Sequence, residues 1–485
     1  MWWVCHVERY RLVGISHLGR VDGSGAACLR GGSPGTSATG RLCGGKWRVD
    51  PDSGRGQGAG TEQDPSTLLR SREYVAILLF CGALGAPIAL VCYGFLELSL
   101  YAQHWMFGPL PEALGIGEGP VWWPLPVLVV GGVLVGLVVR YLPGSGGQSP
   151  ADGFAHGAPA EARELPGIVV AALVTLAFGA VLGPEAPLIA LGAGLAAWAL
   201  RLLRRGADKR AVAVIGGAGS FAAVSTLLGS PLVGAFLLME IAGLGAGLTS
   251  VVLLPGLLAA GIGALIFLGL DSVTGLAKPS LVVPDLPSVG SPTLAGFGWA
   301  LVIGVMAAVL GAGVRRGAVV LRGWLQRRIV LGTALAGGLV GALAAGYAVL
   351  TGRNTGEVLF SGEQLLGPLV TGALELSPGL LALLLVAKWL AYAVSMSSFR
   401  GGPIFPAMFL GAVLGLLLSE LPGLEPLPAV AMGVGGMTVA VLRYPLVSVL
   451  LATLVVLSDG TEMLPLVIVA VVVSYVVSVR LLPVR

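Results

Sequence analysis

The sequence predicts an all-α polytopic membrane protein whose membrane part is two homologous halves of broken helices. Three observations predict it. First, the 485 residues are 55% hydrophobic and only 11% charged, with mean hydropathy +0.90, whereas a soluble domain carries about 25% charged residues. A chain so long and apolar cannot clothe its interior in polar surface, so the bilayer is its solvent. Second, apolar runs of membrane-spanning length recur along it. Third, a pair of motifs repeats at a nearly constant offset.

The apolar runs are 166–183, 211–239, 241–270, 293–314, 329–352, 426–442 and 464–478. Several reach the roughly 20 residues that span hydrocarbon. The runs 186–200, 403–419 and 445–458 are shorter and are expected to stop inside the membrane. Connectors fall at 107–120, 143–165, 271–292, 352–368 and 420–426. Arg201, Arg204, Arg205, Lys209 and Arg210 form one basic cluster, and Arg315, Arg316, Arg322, Arg327 and Arg328 another. The positive-inside rule assigns both to cytoplasmic loops, which makes this a multi-pass cell-membrane protein. Most of the 76 glycines read as close helix packing. The net charge of +4 gives no sign of a nucleic-acid partner. Cys81 and Cys92 sit in an apolar run and read as structural.

Residues 1–72 are rich in Gly, Ser and Arg without apolar periodicity, and are expected to form a disordered N-terminal extension. They lack the basic start and apolar core of a signal peptide. Residues 73–485 are expected to form the membrane domain, with halves at about 74–270 and 293–483 and no cytoplasmic C-terminal domain.

The repeat aligns Gly183-Pro184 with Gly402-Pro403, Pro187 with Pro406, and Leu191-Gly192-Ala193 with Leu410-Gly411-Ala412. Further on, Pro231-Leu232-Val233 matches Pro445-Leu446-Val447. Halves with interrupted helices at matching places are a transporter architecture, with the site near mid-membrane between the repeats.

The shared G-P-x-x-P marks a helix start within an apolar region, because proline suits a first turn and breaks an interior. Such a start leaves backbone N–H groups unpaired at membrane depth, where water cannot satisfy them. One copy fits a capped helix end as well as a ligand site. Two copies at matched positions favour an anion, which also meets the positive end of the helix dipole. Glu185 lies inside the first copy. An intramembrane acid is costly and usually functional. A carboxylate at a helix N-terminus occupies an anion's place until protonated or displaced, which describes a gate; the plain alternative is an N-cap. Ser145, in Pro143-Gly144-Ser145-Gly146-Gly147, offers an uncharged hydroxyl to an anion or is an ordinary linker serine.

Together these segments resemble the CLC family of chloride channels and chloride/proton antiporters. Gly144-Ser145-Gly146 resembles the start of its Gly-Ser-Gly-Ile-Pro motif, Gly183 to Pro187 its Gly-Lys/Arg-Glu-Gly-Pro motif, and Gly402 to Pro406 its Gly-x-Phe-x-Pro motif. The segment Pro231 to Glu240 is similar to the apolar helix that follows in the family. The resemblance covers about residues 74–483. It implies a CLC-like fold of two inverted repeats and a homodimer with one pore per subunit. It also implies chloride held by Ser145 and the amides of Ile404 and Phe405, with Glu185 as gate. No cofactor or metal is implied, and the partners are chloride, the lipid bilayer and, in an exchanger, protons.

The chain departs from the family in four places. Gln148-Ser149-Pro150 displaces the family's Ile-Pro, Ile404 stands where Phe is usual, and Ile241 takes the proton-relay position. The family's pore tyrosine aligns near Gly460, where none stands, leaving the Thr461 hydroxyl as a substitute pore lining. Glu240 is read either as an inner proton site or as the partner of a loop arginine. Lys388 is read as drawing anions to a vestibule or as snorkelling to a helix end.

Passive chloride conduction and chloride/proton exchange are the two leading functions, and Glu185 suits both. A fluoride exporter and an intramembrane enzyme are remoter. Gly219-Ser220 could belong to a membrane serine protease, but its nucleophile needs a base. None of His6, His17, His104 and His156 lies centrally in a span.

Overall fold

The computed structural model describes residues 41–42, 45–46, 71–117, 119–153, 159–204, 206–242, 246–274, 281, 283, 286, 291–456 and 460–482. It divides into two units, residues 1–63 and 64–485. In the first, strands β1 (Arg41–Leu42) and β2 (Gly45–Lys46) pair antiparallel; the rest of the expected disordered extension, up to residue 70, lies outside the described residues.

The second unit is helical. Its first half holds α1 (Arg72–Phe107), the short α2 (Pro109–Ala113), α3 (Pro124–Tyr141), α4 (Leu165–Ala177), α5 (Glu185–Leu203), α6 (Lys209–Leu228), α7 (Pro231–Ala242) and α8 (Ala246–Thr274). Its second half holds α9 (Leu294–Leu325), α10 (Ile329–Thr351), the short α11 (Glu363–Val370), α12 (Pro378–Ser398), α13 (Ile404–Ser419), α14 (Pro426–Leu442), α15 (Pro445–Val455) and α16 (Gly460–Leu481). Seven helical stretches among the described residues are long and apolar enough to cross a membrane. Free Cys81 and Cys92 are buried in α1.

The repeat governs the packing. Helices α5, α6, α7 and α8 correspond to α13, α14, α15 and α16. In the first half α6 packs on α5, α7 and α8; in the second, α14 packs on α13, α15 and α16. Helix α1 lies on α6 and α8 as α9 lies on α14 and α16. Repeat mates also touch one another, α3 against α10 and α7 against α15, as an internal twofold axis requires. Small residues permit the close approach. A Cβ on Gly192 would strike the Gly219 carbonyl, and one on the matching Gly411 would strike the Gly433 carbonyl.

Several boundaries differ from the hydropathy pattern. The run 211–239 is two helices, because Gly229 takes a left-handed C-cap (φ +63°) and Pro231 opens the next helix. The run 166–183 is helical only to Ala177. The chain then crosses as irregular backbone, tied by Val181 N–H to Ser395 Oγ (3.0 Å) and by Phe360 N–H to the Gly179 carbonyl (3.2 Å). Arg315, Arg316 and Arg322 lie not in a loop but on α9, whose 32 residues exceed the roughly 20 that cross hydrocarbon. Its basic end therefore projects beyond the membrane.

Candidate anion site

Helices α5 and α13 both begin at the repeated motif, with Pro184 and Pro403 as their N-caps and no side chain capping either from within. The glycines before those prolines bring the two starts together. Gly183 N–H donates to the Gly402 carbonyl (2.8 Å), and Gly402 N–H donates to the Gly183 carbonyl (2.6 Å). This antiparallel bridge joins a residue to its own repeat mate, so the twofold axis runs between them.

Glu185, fully buried, begins α5 but caps the opposite helix. Phe405 N–H donates to its Oε1 at 2.8 Å, and the N–H groups of Ile404 and of Glu185 itself also face the carboxyl. Oε2 has no partner. The carboxyl packs where side chains on Gly183 or Gly402 would stand. Ile404 and Phe405 are themselves buried. A carboxylate thus holds the dipole end of α13 in the manner of a bound anion.

Beside Glu185, at its neighbour Pro184, lies a cavity of roughly 690 Å³ whose lining also includes Leu182, Glu97, Gln103, Glu357 and Glu363. It opens at the N-terminal end of α5, away from Arg201 and Arg204 at its other end. Lys388 buttresses the far wall. Its fully buried ammonium donates to the carbonyls of Glu357 (3.0 Å), Val358 (3.2 Å) and Leu359 (2.9 Å) and lies 4.5 Å from the Phe409 ring centre. It neither snorkels nor faces an incoming anion, because all three donors are used.

Glu185 and Gly402 to Pro406 therefore meet, as the repeat predicts. Ser145 joins them differently. It sits in a left-handed turn (φ +50°) with glycines on both sides and is exposed. Its carbonyl, not its hydroxyl, makes the tie, accepting from Arg400 Nε at 3.3 Å. Arg400 stands two residues before Gly402, and neither it nor Tyr392 stood out in the sequence. Tyr392 is fully buried and donates its hydroxyl to the Pro403 carbonyl at 2.7 Å, so its proton is not free for an anion. Its signal was available: it follows Lys388 by one helical turn, and a buried phenol needs a partner.

Among the described residues Glu240 pairs with no arginine. Its carboxylate accepts from Leu446 N–H and Val447 N–H, both at 2.9 Å, so it caps α15 as Glu185 caps α13. Ile241 packs against the apolar core. Thr461 lies in the first turn of α16, and its side chain is outside the described residues. Ser220 of the protease reading donates to the Ile189 carbonyl, and Gly219 beside it serves the close helix contact. Among the described residues no group of His, Cys, Asp and Glu could hold a metal.

The family model for the voltage gated chloride channel matches residues 131–479. A relative from Escherichia coli O7:K1 (strain IAI39 / ExPEC), described as "Putative ion-transport protein YfeO", is 29% identical over 411 residues, covering 82% of this chain and 91% of the relative. Two solved structures share the fold. One is a slow cyanobacterial Cl-/H+ antiporter, with TM-score 0.68 and 19% identity over 84% of this chain and 94% of that one. The other is a CLC-type fluoride/proton antiporter, with TM-score 0.63 and 21% identity over 83% and 95%. With its two inverted halves and its carboxylate lodged between repeat-related helix ends, the chain belongs to the voltage gated chloride channel family of multi-pass membrane proteins that transport anions.

Proposed function

We propose that chloride crosses the membrane through the site at the N-termini of α5 and α13, with Glu185 as its gate. The observation that carries this reading is the seat of the Glu185 carboxylate on Phe405 N–H. In that position it fills the place an anion takes and blocks the path. When the carboxyl is protonated or displaced, the amides of Ile404 and Phe405 become ligands for dehydrated chloride, and their fixed dipoles replace part of its hydration. Ser145 and its turn lie at the exit on the basic side.

Proton-coupled exchange is the second reading. A carboxyl that leaves its seat protonated and returns ionised carries a proton in one direction as the anion moves in the other. The acidic cavity wall and the location of Glu240 at the other side suit it, whereas apolar Ile241 suits uncoupled conduction. The proposed assembly is a homodimer with one pore per subunit. The repeat-mated helices α7 and α15 have 12 and 11 residues, too few to span hydrocarbon alone, and Leu232 and Leu446 at matching positions are exposed.

Purified protein in chloride-loaded liposomes tests this. With a potassium ionophore, wild type releases chloride. Uphill proton movement beside it identifies an exchanger, and its absence a channel. Glu185→Ala keeps chloride flux and loses any coupling and pH dependence. If wild type releases no anion, the transport reading falls; if Glu185→Ala behaves as wild type, Glu185 is only a cap.

A further inference from the structure

Arg400 is the buried cation that the site described above does not use. It is 6% exposed and occupies the lead-in to α13. Its N–H donates to Thr175 Oγ1 (3.2 Å), and its side chain packs under Gly146. Nε reaches the Ser145 carbonyl at 3.3 Å, and Nη1 reaches the Phe399 and Ser398 carbonyls at 3.3 and 3.4 Å. These are long contacts for a charged donor, which ordinarily bonds at about 2.7–2.9 Å. Among the described residues Nη2 donates to no protein atom, and no carboxylate forms an ion pair with the guanidinium. The nearby Asp152 is engaged by Arg322 at 2.6 Å, and that Arg322 adds a second positive charge.

A cation this buried is costly without a counter-charge. Here it stands beside the Ser145 turn, on the side of the basic end of α9 to which Arg322 belongs. The positive-inside rule makes that the cytoplasmic side.

We infer that Arg400 is a direct ligand for the transported anion at the inner end of the pore, its free Nη2 completing a site with the Ser145 turn. This deepens the transport reading and rests on it. Guanidinium differs from the neutral amide donors of Glu185's seat in two ways. It adds a full charge, which raises the local anion concentration. Its planar fork also matches planar oxyanions better than a spherical halide, so the inner site favours nitrate relative to the seat at α13.

Calorimetric titration of the detergent-solubilised full chain with potassium chloride and potassium nitrate, paired with liposome flux, tests this. Arg400→Gln is expected to weaken binding of both anions about tenfold and to raise the half-saturating chloride concentration for flux. Arg400→Lys is expected to retain chloride affinity within about threefold while losing any preference for nitrate. The Lys variant keeps the charge and the packing stem, so it decides the matter if the Gln variant does not fold. Unchanged affinities in Arg400→Gln, or an unchanged nitrate-to-chloride ratio in Arg400→Lys, overturn the inference and leave Arg400 as a staple between loops. A wild-type protein that moves no anion would instead sink the transport reading beneath it.

Discussion

At Gly402 a single hydrogen atom separates a seated carboxyl from a collision. A Cβ there would occupy the space of the Glu185 carboxyl, and Gly402 also exchanges both its backbone hydrogen bonds with Gly183. Neither the carboxyl, held by Phe405 N–H, nor the bridged backbone can retreat cheaply. Gly402→Ala should therefore unseat Glu185 and lower stability by about 1–3 kcal/mol, the usual scale of overpacking. In a Glu185→Ala background the same substitution should cost much less, because its collision partner is gone. Thermal unfolding of the two single variants and the double variant measures this coupling. Strict additivity would mean that the glycine is required only for its backbone bridge.

At the scale of elements, Lys388 decides where the outer cavity wall stands. The chain from Glu357 to Leu359 presents three successive carbonyls inward, and one ammonium on α12 satisfies all of them. Glu357 is itself held by Tyr347 (2.5 Å) and Arg353 (2.8 Å), so the turn is fixed from both sides. Lys388→Met preserves the packing volume but strands the carbonyls, and should destabilise the protein by about 3 kcal/mol. Hydrogen exchange should quicken first in residues 355–363, with α13 little changed. Uniform slow exchange would show that the turn stands without the lysine. The neighbouring break at Gly229 follows the same logic, since glycine and proline chemistry divide a continuous apolar run into the two helices that the repeat needs.

At the scale of the molecule, the repeat explains why equivalent segments meet. An inverted pair of halves brings each copy of a motif face to face with its mate at the axis, and Gly183 with Gly402 is that meeting. It is also why the carboxylate of one half caps a helix of the other. The same geometry places the short helices α7 and α15 side by side, short of spanning the membrane. Light scattering in detergent should therefore report two chains per particle, and a monodisperse single chain would refute the proposed dimer.

Much of this was legible from residues. Paired prolines three apart state that a helix starts at membrane depth, and the second copy shows that the start is architectural. Glu185 is conspicuous because an acid amid apolar sequence has no cheap structural use. Other residues were ambiguous because their meaning depends on distant partners. Lys388 read as a vestibule or snorkelling charge until three carbonyls some thirty positions earlier in the chain appeared around it. Glu240 read as an inner proton site or the partner of a loop arginine until two amide groups of α15 appeared against it. Arg400 read as nothing in particular, because its neighbour Ser145 is 255 residues away.

By itself the sequence determined the membrane class, the duplication and the helix starts, since hydropathy, proline geometry and repeated spacing act locally along the chain. Only the tertiary structure decided what those helix starts face. Hydrogen bonding and charge compensation act through space, and folding about the internal axis set Glu185 on Phe405 and left Arg400 beside the Ser145 turn with a donor to spare.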